Sequence, residues 1–95
     1  MSKVPAKAGL RLRLYVAGNA PNSLRAIENA TAICTEHFAA KYDLEIIDLL
    51  VEPQRGLDDG IIVTPTLLKI SPLPAHRIVG NLADRSRVLL ALASK

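Results

Sequence analysis

The chain has 95 residues, 49% of them hydrophobic and 22% charged, with a formal net charge of +3. That is enough for one domain with a small core, and it excludes general disorder. Cys34 is the only cysteine, which excludes an internal disulfide, a secreted disulfide scaffold and thiol exchange within one chain.

The first eight residues carry no periodic apolar pattern and are expected to be flexible, leaving a single domain over 9–95. Residues 10 to 16, LRLRLYV, alternate apolar and basic before an apolar end, the period-two pattern of a strand with one buried face. AGNAPNS then groups turn-forming residues and leads into Leu24, Ile27, Ala30, Cys34 and Phe38, whose three- and four-residue steps predict a helix. After Lys41 the run LEIIDLLV predicts a largely buried second strand, and a right-handed parallel βαβ unit follows. EPQRGLDDG suits a short helix or a loop, and pattern alone leaves both open.

IIVTPTLLKI is apolar on both sides of Thr64-Pro65-Thr66, and SPLPAHRIVG adds a short strand after a proline-bounded turn, so two antiparallel neighbours are expected. In NLADRSRVLLALASK, Asn81 with Asp84 three residues later resembles a helix start. Leu82, Val88, Leu89 and Leu92 supply the apolar stripe of a terminal helix.

Charge is unevenly spread: residues 1 to 25 hold five bases and no acid, and eight of the nine acids lie between Glu28 and Asp59. Such bipolarity steers complementary partners. Three aromatics, Tyr15, Phe38 and Tyr42, are too few for a nucleic-acid surface that stacks bases, so no nucleic acid is expected. No apolar run approaches the ~20 residues of a membrane helix and the N-terminus lacks a secretory h-region, so a cytoplasmic chain without a membrane partner is expected.

The element order βαβ then ββα is that of a thioredoxin-like α/β domain, with Pro65 where such domains place a cis-proline facing the entrance of the first helix. Redox members carry C-x-x-C at that entrance, where the helix dipole activates a thiolate. Here Asn19 and Asn22 hold the same spacing, and an amide cannot exchange with a disulfide, so no enzyme activity and no cofactor are expected. Cys34 falls on the helical stripe as a small buried thiol, and with His37 it makes only two ligands, so no metal is expected. Asp58-Asp59 lacks the spaced oxygens of a calcium loop and reads as a solvated acidic turn. No serine or cysteine motif accompanies His76 to suggest a triad.

Taken in order, LRLYVAGNAPNSLRAIENA, YDLEIIDLL, TPTLLK and RIVGNLADRSRVLLAL resemble the KaiB family from about Leu12 to Leu92. The resemblance implies a non-enzymatic, cytoplasmic clock component. Such a component binds the ATPase ring of KaiC, competes there with a histidine kinase bearing a KaiB-like domain, and in some systems captures KaiA. It also implies metamorphism: a ground state that self-associates to a dimer or tetramer, with its C-terminal half packed differently, and a monomeric thioredoxin-like state that binds the partner.

The resemblance places the partner contacts at the edge formed by the second strand and at the helix entrance. Arg25 matches a family position suited to an acidic surface, a solvated helix arginine being the alternative, and Asn19 belongs to the entrance turn. Asp43 and Glu45 stand where relatives tend to be neutral and basic, and Gly60 where a lysine is usual, which counts against capture of KaiA and against part of the KaiC-binding surface. Pro65, Pro72 and Pro74 lie in the region that must repack, so slow isomerisation is expected to contribute to the barrier. Ala91 and Ala93 stand where relatives often carry glycine and aspartate, and they favour helix by up to about 1 kcal/mol each.

Three alternatives stay open. A KaiB-like paralogue serves a stress-response or other signalling system without KaiA. A redox-inactive thioredoxin-like module binds glutathione through Asn19 or Tyr15. A detached kinase sensor domain shares the fold but is expected to continue into a coiled linker.

Overall fold

The computed structural model describes residues 9–39 and 41–93. The expected flexibility of residues 1–8 falls outside them. Seven elements follow in the order β1 (Leu10–Val16), α1 (Pro21–Phe38), β2 (Tyr42–Asp48), α2 (Pro53–Asp58), β3 (Thr66–Ser71), β4 (His76–Val79) and α3 (Arg85–Ala93). They form a thioredoxin-like α/β sandwich around one four-stranded sheet of order β2-β1-β3-β4.

β1 is the spine of the sheet. It pairs parallel with β2, Leu14 opposite Ile46, and antiparallel with β3, Leu14 opposite Leu67; β4 closes antiparallel on β3. Alternation along β1 sends Leu10, Leu12, Leu14 and Val16 to one face, where they meet Ala26, Ala30, Ile33 and Cys34 of α1 and Val88 and Leu92 of α3. Tyr15 points to the other face, into a smaller cluster with Ile47 and Leu68 that Leu49 and Ile61 flank. Gly56 of α2 is buried there; a Cβ on it would come within 2.9 Å of Leu49 Cδ2. The sheet therefore lies between α1 with α3 and the short α2.

Several expectations need correction. Leu24 is 46% exposed, because the packed stripe of α1 runs through Ser23, Ala26, Ala30, Ile33 and Cys34, roughly one residue around the helix. β2 is an edge strand, with only Ile47 fully buried, and it stops at Asp48. Asp48 Oδ1 accepts the backbone N–H of both Gly18 and Leu50 at 2.9 Å, which turns Leu49–Val51 out of the sheet. EPQRGLDDG resolves as a helix begun by Pro53. The apolar residues before Thr64 add no strand, since β3 starts at Thr66.

The terminal helix starts three residues later than Asn81 suggested. Asp84 Oδ1 accepts the Arg87 N–H at 3.2 Å and so caps α3, whereas the Asn81 side chain closes its own turn onto the Ala83 N–H at 3.0 Å. Leu82 precedes the helix at φ 66° yet is buried, completing the stripe with Val88 and Leu92. The peptide bonds preceding Pro65, Pro72 and Pro74 are all cis. Pro65 is buried at the sheet end and its carbonyl accepts the Gly80 N–H at 2.9 Å; Pro72 and Pro74 are exposed.

Candidate docking surface

The entrance of α1 is built from the end of β1. Gly18 adopts φ 59°, Pro21 opens the helix, and the buried Ser23 Oγ accepts the Ala17 N–H at 3.1 Å. Asn19 is exposed at this turn, and Asn22 accepts from the Asn81 side chain at 3.5 Å. Amides thus occupy the mouth of the helix, while Cys34 is buried well inside α1 and burial pushes its thiol up to about 11. At that value the thiolate is scarce near neutrality, and no nucleophile faces the entrance from this cysteine.

Tyr15 is fully buried with its hydroxyl donating to Asp59, which removes it from the entrance as a group to orient glutathione. Among the described residues, no group of three or more His, Cys, Asp or Glu side chains is placed to hold a metal ion. No helix among them is long and apolar enough to cross a membrane.

Several large apolar side chains between β2 and β3 are exposed, Leu50 lying next to Gly18 of the entrance. Leu50 and Val51 after β2 are each 73% exposed, Leu57 of α2 72%, and Ile62 in the α2–β3 loop 93%. The loop also borders a cleft of about 360 Å³ lined by Gly60 to Val63 with Thr66, Arg77 and Val79. Large apolar side chains left exposed in this number make the β2–β3 connection a candidate interaction surface.

The β2 edge is charged. Arg13 Nε lies 3.5 Å from Glu45, which Arg55 of α2 grips with both nitrogens at 2.7 and 3.0 Å; Arg11 lies 3.9 Å from Asp43. The hydrogen bond from Arg55 holds the Glu45 carboxyl below the usual carboxylate range. Charged edges of this sort discourage indiscriminate strand pairing. Arg25 is exposed on α1 and makes no ion pair among the described residues.

Asp59 is not the solvated acid that its sequence context suggested. Its carboxylate accepts Arg13 Nη1 at 2.9 Å and the Tyr15 hydroxyl, and its backbone carbonyl, with that of Gly60, accepts the Arg77 guanidinium. The Tyr15 hydrogen bond, and then Arg13, hold the Asp59 carboxyl low against its partial burial. Nothing local to Asp58-Asp59 announces this, since its partners lie 44 and 46 residues away.

A family model of the KaiB domain matches residues 13–94. The chain belongs to the KaiB family. The circadian clock oscillator protein KaiB of a Synechococcus sp. (strain RCC307) is 51% identical over 81 residues, 85% of this chain and 74% of that protein. KaiB of Nostoc punctiforme is 47% identical over 89 residues, 94% of this chain and 86% of that protein.

Solved structures extend the likeness of fold. The N-terminal domain of Synechococcus elongatus SasA superposes with a TM-score of 0.75 at 24% identity, covering 100% of this chain and 93% of that one. Mitochondrial thioredoxin 3 of Saccharomyces cerevisiae reaches 0.74 at 9% identity, covering 94% and 81%. Within this KaiB frame, Asn19 and Arg25 sit at and just inside the helix entrance, Asp43 and Glu45 on the β2 edge, and Gly60 on the α2–β3 loop. Ala91 and Ala93 both lie within α3.

Proposed function

We propose that this chain is a non-enzymatic timing regulator of the cytoplasm that docks on the ATPase ring of a KaiC-type protein, where a sensor kinase with a KaiB-like domain competes for the same place. The observation that carries the reading is the exposure of Leu50, Leu57 and Ile62 in the β2–β3 connection, together with a helix entrance that offers amides in place of thiols. The thioredoxin-like arrangement is taken as the binding state, and a dimer or tetramer as its reservoir.

The same observation supplies the test. Purified chain is mixed with a KaiC-type hexamer in ATP and in ADP and the complex is measured by size-exclusion light scattering. Binding to at least one nucleotide state is expected, and Leu50→Glu and Ile62→Glu are expected to abolish it while leaving far-UV circular dichroism unchanged. Absence of binding in both states, or binding indifferent to both substitutions, overturns the reading. Light scattering of the chain alone over a range of concentrations tests the reservoir.

A second reading, a KaiC-type stress or signalling system that lacks KaiA, is favoured by the β2 edge. Asp43 and Glu45 make that edge acidic and are engaged by Arg11, Arg13 and Arg55, so an incoming strand must displace these ion pairs before it can pair with β2. Failure of KaiA to join a preformed complex of this chain with the ring supports that reading.

A further inference from the structure

Ile62 is nine-tenths exposed, yet the loop that carries it is fastened from three sides. From the helix, the Asp59, Gly60 and Ile61 N–H groups donate to Arg55, Leu57 and Gly56 carbonyls at 3.2, 3.1 and 2.8 Å. From the sheet centre, Arg13 and the buried Tyr15 of β1 both donate to the Asp59 carboxylate. From the sheet edge, Arg77 of β4 forks onto the Asp59 and Gly60 carbonyls, and beyond them Thr66 Oγ1 donates to the Val63 carbonyl at 2.6 Å.

Gly60 takes φ 66°, so the chain reverses there without a side chain in the way. An apolar loop does not present itself to water in one conformation for its own sake. The side chains that hold it are polar and drawn from distant parts of the chain: Tyr15 is buried, Arg13 and Asp59 are half-buried and Arg77 is exposed.

We propose that Asp59 is the positioning residue of the docking surface: clamped by Arg13 and Tyr15 below and bridged to β4 through Arg77, it holds Ile62 and Val63 preformed for a partner with a complementary apolar surface. The inference rests on the docking reading but concerns the order of the loop in the free chain. Preordering removes the cost of immobilising the loop upon association, so the clamp acts on affinity through Ile62 and not by touching the partner. Because Arg77 belongs to β4, its share of the restraint on the loop lasts only while β4 is in place on β3.

Amide exchange of residues 60–64 in the free chain tests the clamp. Asp59→Asn keeps an oxygen for Tyr15 and loses the charge that holds Arg13; Arg77→Ala releases the other side. Each is expected to speed exchange of these amides by about tenfold or more, with exchange in β1 and β3 and the urea midpoint moving far less. Unchanged loop exchange in both variants overturns the proposal, whatever the ring does, and so does loop exchange that rises only in step with global unfolding.

Binding to the KaiC-type ring then supplies a double-mutant cycle. If Asp59 acts through Ile62, Asp59→Asn weakens binding in the wild type by about tenfold but adds little to Ile62→Ala. Additive losses overturn the positioning role. Should the wild type fail to bind the ring at all, the docking reading falls, and the exchange data alone decide whether Asp59 orders the loop.

Discussion

Leu50 lies directly over Gly18: a Cβ placed on Gly18 would come within 2.8 Å of the Leu50 Cδ1. The contact joins the turn after β1 to the turn after β2, and Asp48 seals the same junction from below. Gly18→Ala meets two obstacles, the Leu50 methyl and φ 59°, but Leu50 is mostly exposed and free to swing aside. The backbone penalty therefore dominates, and the substitution is expected to lower stability by about 1–2 kcal/mol. Urea denaturation checks this, and Leu50→Ala in the same chain should recover little of the loss.

Ser23 is 1% exposed and its hydroxyl oxygen satisfies the Ala17 N–H. Ser23→Ala leaves that half-buried donor without its partner, which costs about 1 kcal/mol. Thermal unfolding should show the loss, with faster exchange at the Ala17 amide.

Acid should loosen the β1–α2 contacts before the core. Glu45 and Asp59 both have carboxyls held below their unfolded values, so they contribute stability that is fully present above the ordinary carboxylate range near pH 4 and is lost as pH falls through the folded values. Loss of stability below about pH 4 is expected to shrink when Asp59→Asn and Glu45→Gln are combined. Denaturant midpoints across pH 2 to 7 measure it.

Alkali acts on the same clamp from the other side. Burial, and then the hydrogen bond to Asp59 and its charge, push the Tyr15 hydroxyl up to about 12. A raised folded value means stability present below the unfolded value of about 10 and lost as pH climbs from there toward 12. The difference in ultraviolet titration between wild type and Tyr15→Phe should show that one phenol ionising late, and Tyr15→Phe should flatten the alkaline decline.

Cys34, with its thiol raised to about 11 and 1% exposed, should react with an aromatic disulfide reagent at pH 8 only as fast as the chain opens. Adding urea below the midpoint should accelerate labelling, and rapid labelling of the native chain would contradict the packing of α1.

Ala91→Gly should weaken α3 by about 1 kcal/mol, since it lies inside the helix and glycine carries the larger backbone entropy there, whereas Ala93 is the last helical residue and glycine there should cost little. We expect the pair to raise amide exchange over 82–93 and to shift the solution species away from the thioredoxin-like arrangement. Chemical shifts of α3 distinguish that shift from simple fraying.

Local pattern was informative wherever one residue's neighbours in sequence are also its neighbours in space. β1 is legible as 10–16 because alternation there is set by a single buried face, and Pro21 marks the start of α1 by its own chemistry. Leu24 misleads because apolar spacing does not say which of two adjacent helical faces the sheet will cover, and small residues, Ala26 and Ala30, win the close contact. The LEIIDLLV run cannot reveal that its strand is an edge, which depends on the order of four strands, nor that Asp48 ends it by accepting the distant Gly18 amide together with the local Leu50 amide. The helix entrance and the β2 edge could be named from the sequence as expected contact surfaces, whereas the exposure of Leu50, Leu57 and Ile62 could not. The clamp on Asp59 was not legible, because Arg13, Tyr15 and Arg77 reach it only once the sheet is assembled.

The sharing of β1 between β2 on one side and β3 on the other also bears on handling and crowding. Any excursion that lifts β3 away bares a row of amides and carbonyls along a strand whose inner face is leucine-rich, the pattern most prone to pairing with another molecule. The protein should therefore be least soluble not when fully unfolded but when half opened, and dilution, rather than cold, should be the better safeguard for its stocks.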